Sequence, residues 1–154
     1  MAAPLSDRDW QIRLHIYRFI VEQTRPPTVA ETAGAFGMSA GEARDAYQRL
    51  HEAHMLFLEP GTSEVRMANP LSGVATPFRV IVDGRTLFAN CAWDSLGIPA
   101  MLGTDTTIEA IYTGADGSST PARYAIVNGA LRGDDGIVHF PLPFRHWYDD
   151  LIHT

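Results

Sequence analysis

Apolar residues recur at helical spacing near the start of the chain. After Ser6, Trp10, Leu14, Tyr17 and Val21 follow one another at three- and four-residue steps, and Ile12, Ile16, Phe19 and Ile20 widen the stripe. Ser6 and Asp9 form a capping pair, and Arg25-Pro26-Pro27 ends the helix, since proline lacks an N–H and crowds the preceding turn. Thr28-Val29-Ala30-Glu31 is a capping box for a short helix that ends at Gly37. Ser39-Ala40-Gly41-Glu42 opens a third helix, running through about His54. The pattern then turns to strands: Met55–Glu59 and Glu64–Ala68 flank Pro60-Gly61-Thr62-Ser63 and read as a hairpin.

Three capped helices followed by a hairpin make residues 1–68 a winged-helix-like module with a β wing. Residues 69–77, with two prolines and a glycine, read as a linker. Residues 78–154 read as a small mixed β domain, so the fold class is α+β. Phe78–Val82 and Arg85–Ala89 are strands joined by Asp83-Gly84, a pair favoured by the type I′ turn. Residues 92–102 predict a short helix, interrupted by Gly97 and Pro99 and closed by Gly103. Thr106–Tyr112 and Arg123–Val127 read as strands around the turn-rich Thr113–Pro121. Ile137–Phe140 is a further strand, and Phe144–Ile152 a terminal helix or turn.

Composition narrows the function. The chain has 154 residues, a formal charge of -6 and one cysteine, and all 12 of its basic residues are arginine. A single cysteine excludes an intrachain disulfide and a Cys-rich zinc site. No apolar run reaches the ~20 residues of a membrane helix, and the N-terminus lacks a secretory pattern, so the expected compartment is the cytoplasm. Residues 1–68 carry seven arginines against nine acids, and the third helix sets Glu42, Asp45 and Glu52 beside Arg44 and Arg49. That balance argues against nucleic acid as a partner, because duplex binding neutralises several phosphates at once.

The thiol stands at a strand-to-helix junction, Asn90-Cys91-Ala92-Trp93-Asp94. In a first helical turn, unpaired N–H groups favour thiolate, so Cys91 is expected to titrate below the ordinary thiol value. Asp94, three residues on, shares its side of the helix. Sulfur can bind a soft metal or attack an electrophile, and a carboxyl group can move a proton. Histidines offer another arrangement: His146 and His153 share a helical face with Asp149 or Asp150 between them, and His139 or Cys91 could complete a metal site. Trp93, Trp147 and nearby phenylalanines could wall an apolar pocket.

Residues 78–103, FRVIVDGRTLFANCAWDSLGIPAMLG, resemble the core motif of the organomercurial (alkylmercury) lyases: a hairpin, a polar or aromatic residue, Cys-Ala-x-Asp-x-Leu, then Pro-Ala-x-x-Gly. Thr76-Pro77, the linker and the helical start with its wing match the same layout, and Gly-x-Val-His-Phe at 136–140 is similar to a later family strand. The resemblance implies a β domain of the alkylmercury-lyase type. It also implies that Cys91 captures mercury and Asp94 delivers a proton to carbon, with no cofactor and with Hg(II) or another soft metal left on Cys91. The family's second cysteine has no counterpart here; Asp135 and Gly136 stand in that region. Asp135 is therefore a further candidate acid or base, and Asn90, Trp93 and His139 are candidate pocket residues. The expected partner is a small organic or organometallic substrate, cleaved at its C–Hg bond or processed by a recruited lyase or isomerase reaction. The competing class is a non-enzymatic, metal- or ligand-sensing winged-helix regulator.

Overall fold

The computed structural model describes residues 4–140 and 142–148. Three capped helices come first: α1 (Asp7–Gln23), α2 (Val29–Phe36) and α3 (Ala40–Glu52). Each begins with a complete capping box, Ser6 with Asp9, Thr28 with Glu31 and Ser39 with Glu42. The α1 stripe buries one edge only. Ile12, Ile16 and Ile20 are fully packed, whereas Trp10 and Leu14 remain 43% and 50% exposed. The four-residue spacing of the isoleucines therefore sets the core face; Tyr17 and Val21 flank it half-buried, and Trp10 and Leu14 lie outside it.

Strands β1 (Phe57–Leu58), β2 (Val65–Ala68) and β3 (Leu71–Ser72) form an antiparallel sheet, so the stretch read as a linker contributes a strand. The second sheet, ordered β5-β4-β6-β7-β8, is antiparallel throughout and built from β4 (Arg79–Val82), β5 (Arg85–Phe88), β6 (Thr106–Thr113), β7 (Ser119–Val127) and β8 (Ala130–Gly133). Asp83 and Gly84 both have positive φ, the geometry of the expected tight turn. Asn128 and Gly129 repeat it between β7 and β8, a hairpin that the same dipeptide rule would have found. Helix α4 (Ala92–Leu102) is continuous through Pro99 and ends on left-handed Gly103.

One bridge, Leu71 to Ala89, joins the two sheets, and a single cluster of buried side chains links Ile12, Ile16 and Leu50 with Leu71, Val80, Ile98 and Ile108. The first three helices thus pack on the same core as the β4–β8 sheet. One expectation fails near the end of the chain. Ile137–Phe140 pairs with no strand; its side chains line a cavity instead of entering a sheet. The expected terminal helix or turn is a 3-10 turn at Phe144–His146 among the described residues, and Asp149, Asp150 and His153 lie outside them. No described helix is long and apolar enough to cross a membrane.

The helical half is fastened by Asp9, which is 1% exposed and accepts from Arg49 Nη2 at 2.7 Å and from the Ser6 backbone and hydroxyl at 2.9 and 2.7 Å. Burial raises its pKa, but the hydrogen bonds of Arg49 and Ser6 outweigh burial and hold it below the ordinary value. Because the folded pKa is the lower one, this stabilisation is present at neutral pH and is lost as pH falls through that value. Replacing Asp9 with Asn should cost about 2 kcal/mol at pH 7, since a buried, hydrogen-bonded ion pair loses its anion while Arg49 stays partly hydrated. Urea melts of both proteins should converge as the pH is taken below about 4.

Candidate functional site

Strand β5 and helix α4 meet at Asn90-Cys91, and this junction aims the candidate residues. Cys91 is the N-cap of α4 in an extended conformation, its carbonyl accepting the Ser95 N–H at 3.1 Å. Asp94 therefore falls at the third helical position, one turn from the cap. Asn90 holds it: the Asn90 Nδ2 donates to Asp94 Oδ2 at 3.0 Å and to Asn69 Oδ1 at 2.9 Å. Asn69 is tied in turn to α1, because its backbone carbonyl accepts the Tyr17 hydroxyl at 2.7 Å and Tyr17 accepts from Arg13 at 2.9 Å. The amide oxygen of Asn90 is buried and meets no donor.

A cavity of about 380 Å³ opens over this junction. Cys91, Asp94, Asn90, Trp93 and His139 all line it, so five of the six expected residues converge. Val74, Phe78, Phe140 and Trp147 supply apolar walls, and Arg66 and Met67 approach from β2. Trp93 is 57% exposed and stands edge-on to Phe140, whose ring lies 5.1 Å from that of Trp147. Farther along, Tyr148 stacks on His54 at 4.2 Å, which fastens the segment after Phe140 to the end of α3. No sequence signal pointed to Arg66; its approach depends on how the two sheets face each other.

Asp135 is the sixth expected residue, and the structure does not bring it to the cavity. Its backbone carbonyl accepts the Tyr112 hydroxyl, and it is exposed. A β-carbon at Gly136 would collide with the end of the Tyr112 side chain, so a side chain there, a thiol included, would require Tyr112 to shift. The histidine arrangement lies outside the described residues at His153 and at Asp149 or Asp150; among the described residues no group of three or more His, Cys, Asp or Glu suited to a metal occurs.

The thiol titrates opposite to expectation. Burial pushes the Cys91 pKa up and the Asp94 carboxylate adds to the rise, while the Asp94 and Trp93 amides favour thiolate without prevailing. At Cys91 the cost of burying the thiolate exceeds what the amides of the helix start contribute. Burial likewise lifts Asp94 above the ordinary carboxyl value, against the hydrogen bond from Asn90. Cys91 should accordingly react slowly with iodoacetamide at pH 7, its rate rising up to and beyond pH 9; a rate that levels off below pH 8 would contradict this assignment.

No curated protein matches the chain. Among solved structures, the mercury-bound form of MerB2 matches with a TM-score of 0.65 at 23% identity, over 83% of this chain and 60% of that one. At that identity the likeness establishes a common fold, and this chain spans about 60% of that protein's length. The sequence profile of the alkylmercury lyases matches residues 71–151, from β3 through the cavity and the segment that crosses it. With just over half its length covered by that profile, the chain belongs to the alkylmercury lyase family.

Proposed function

We propose that the chain is an organomercurial lyase that works with one thiol and one carboxyl group. The observation that carries this reading is the pairing of Cys91 and Asp94 on one wall of a single, largely apolar cavity. Mercury is soft and prefers sulfur, so capture falls to Cys91. In the first step the sulfur bonds to the metal of R–Hg–X, X⁻ departs, and the thiol proton passes to the Asp94 carboxylate. In the second, Asp94 returns that proton to the carbon, the C–Hg bond breaks and R–H leaves. Mercury then stays on the Cys91 sulfur, with the freed Asp94 carboxylate opposite as a weak second ligand.

The raised pKa values of both groups favour this sequence. A neutral thiol carries the proton that the reaction consumes, and a carboxyl group with elevated pKa accepts it readily and holds it near the carbon. Asn90 is a positioning residue: it fixes one Asp94 oxygen and leaves the other for proton transfer. A half-turn of the Asn90 amide would present its unpartnered oxygen to protonated Asp94, so one side chain can serve both protonation states. Exogenous thiol takes the place of a second cysteine by drawing Hg(II) off Cys91.

Arg49, which a duplex-binding third helix would turn to phosphate, is committed to Asp9, and this favours the enzyme over the regulator. The test is benzene release from phenylmercury in excess buffer thiol. Release above the thiol-only rate that disappears in both Cys91→Ser and Asp94→Asn supports the proposal. A rate equal to that of buffer thiol alone overturns it.

A further inference from the structure

We infer that Asn69, in the turn between β2 and β3, is a positioning residue for Asp94, and that Tyr17 anchors it from α1. The inference rests on Asp94 as the acid that delivers the proton, and it extends that reading to the residues behind Asn90. Asn69, Asn90 and Asp94 all line the cavity, although Asn69 belongs to the first sheet and the other two to the β5–α4 junction.

The side-chain nitrogen of Asn90 carries two hydrogens, and both are taken. One goes to Asp94 Oδ2 at 3.0 Å and the other to Asn69 Oδ1 at 2.9 Å, with the Leu71 carbonyl more distant at 3.4 Å. An amide turns easily about its last side-chain torsion, so a single hydrogen bond leaves it free to present either end. The second bond removes that freedom. With Asn69 accepting, the Asn90 nitrogen faces Asp94, and a donor there favours the carboxylate. The carboxylate is the state reached once the proton has passed to carbon, so Asn69 promotes release of the hydrocarbon and takes no part in capture by sulfur. When the Asn90 amide turns over for protonated Asp94, it gives up the bond to Asn69, and regaining that bond draws it back.

Asn69 is exposed and takes its place from α1. The Tyr17 hydroxyl donates to its backbone carbonyl at 2.7 Å, and Arg13 holds Tyr17 by donating from Nη2 to the hydroxyl oxygen at 2.9 Å and from Nε to the Met55 carbonyl at 3.2 Å. Burial raises the Tyr17 pKa above the ordinary phenol value, so the hydroxyl remains a donor through the neutral range. The helical half thus reaches Asp94 through an unbroken series of hydrogen bonds.

The experiment follows phenylmercury on the whole protein by intact mass without added thiol, and reads adduct formation and loss of the phenyl group separately. In Asn69→Ala, adduct formation should keep the wild-type rate while benzene release slows by about fivefold, the scale of one neutral hydrogen bond. Tyr17→Phe should slow release by a smaller factor. Asn90→Ala should slow it by about tenfold or more, and adding Asn69→Ala to that variant should slow it no further, since both act through one contact. Wild-type release in Asn69→Ala overturns the inference. So do penalties that multiply in the double variant, or equal losses in capture and release, either of which marks a merely structural role. A second reading needs no turnover: the Asn90 side-chain amide resonances of isotope-labelled protein should move in Asn69→Ala, and unmoved resonances overturn the inference too. A wild-type adduct that never releases benzene fails the Asp94 reading itself and takes the inference with it.

Discussion

Replacing Cys91 with serine should abolish both capture of an organomercurial and release of its hydrocarbon. Oxygen is a hard ligand and cannot substitute for sulfur on mercury, and the chain has no other thiol to compensate. The expected loss is at least about a hundredfold in adduct formation, read by intact mass after one equivalent of phenylmercury. Because Cys91 is half-buried and makes no side-chain cap hydrogen bond, serine should fold in its place with little change in melting temperature. A serine variant that still retained the mercurial would move the capture site to another residue.

Asp94→Asn separates the two steps. The variant should still form the phenylmercury adduct, since sulfur does the binding, but release of benzene from it should fall by about 10²–10⁴-fold, the usual contribution of a positioned acid. The pH dependence has a definite sign. Asp94 titrates above the ordinary carboxyl value, so breakdown of a preformed adduct should be fastest at low pH and decline as pH rises through that value. Capture should run the other way, rising with pH as the Cys91 thiol ionises. Opposed profiles for the two steps would be hard to explain if one group served both.

The local parts of this account were legible along the chain and the long-range parts were not. Three capping boxes, the Asp83-Gly84 turn and the Gly103 stop are each set within four or five residues, and all appear where their residues stand. Cys91 and Asp94 share a wall of the cavity because helical spacing alone puts them one turn apart. The Cys91 pKa went the other way because it depends on burial, which no three-residue window contains. Arg66 and the tie from Asn90 through Asn69 to Tyr17 depend on how β2, β3 and α1 meet across the core. Ile137–Phe140 has the residues of a strand, yet it pairs with none and borders the cavity, with Phe140 edge-on to Trp93 while Ile137 stays 90% exposed. Asp135 stood near the family's second cysteine in linear order, but Tyr112 holds its backbone outside the cavity.

The absent second cysteine also sets the expected kinetics. With one thiol on the metal, the proposed mechanism would leave Hg(II) on Cys91 and a poor carboxylate ligand, so turnover should depend on the concentration of added thiol while the first cleavage should not. Trp93 gives a convenient signal for that first event, since it is two residues from the sulfur and lines the same cavity.

The most direct measurement is a single-turnover mass spectrum of the whole protein mixed with one equivalent of phenylmercury in the absence of other thiols. The account predicts a phenylmercury adduct on Cys91 that converts with time to a bare mercury adduct as benzene appears in equal amount. An adduct that keeps its phenyl group indefinitely would contradict it, leaving a protein that binds organomercurials without cleaving them.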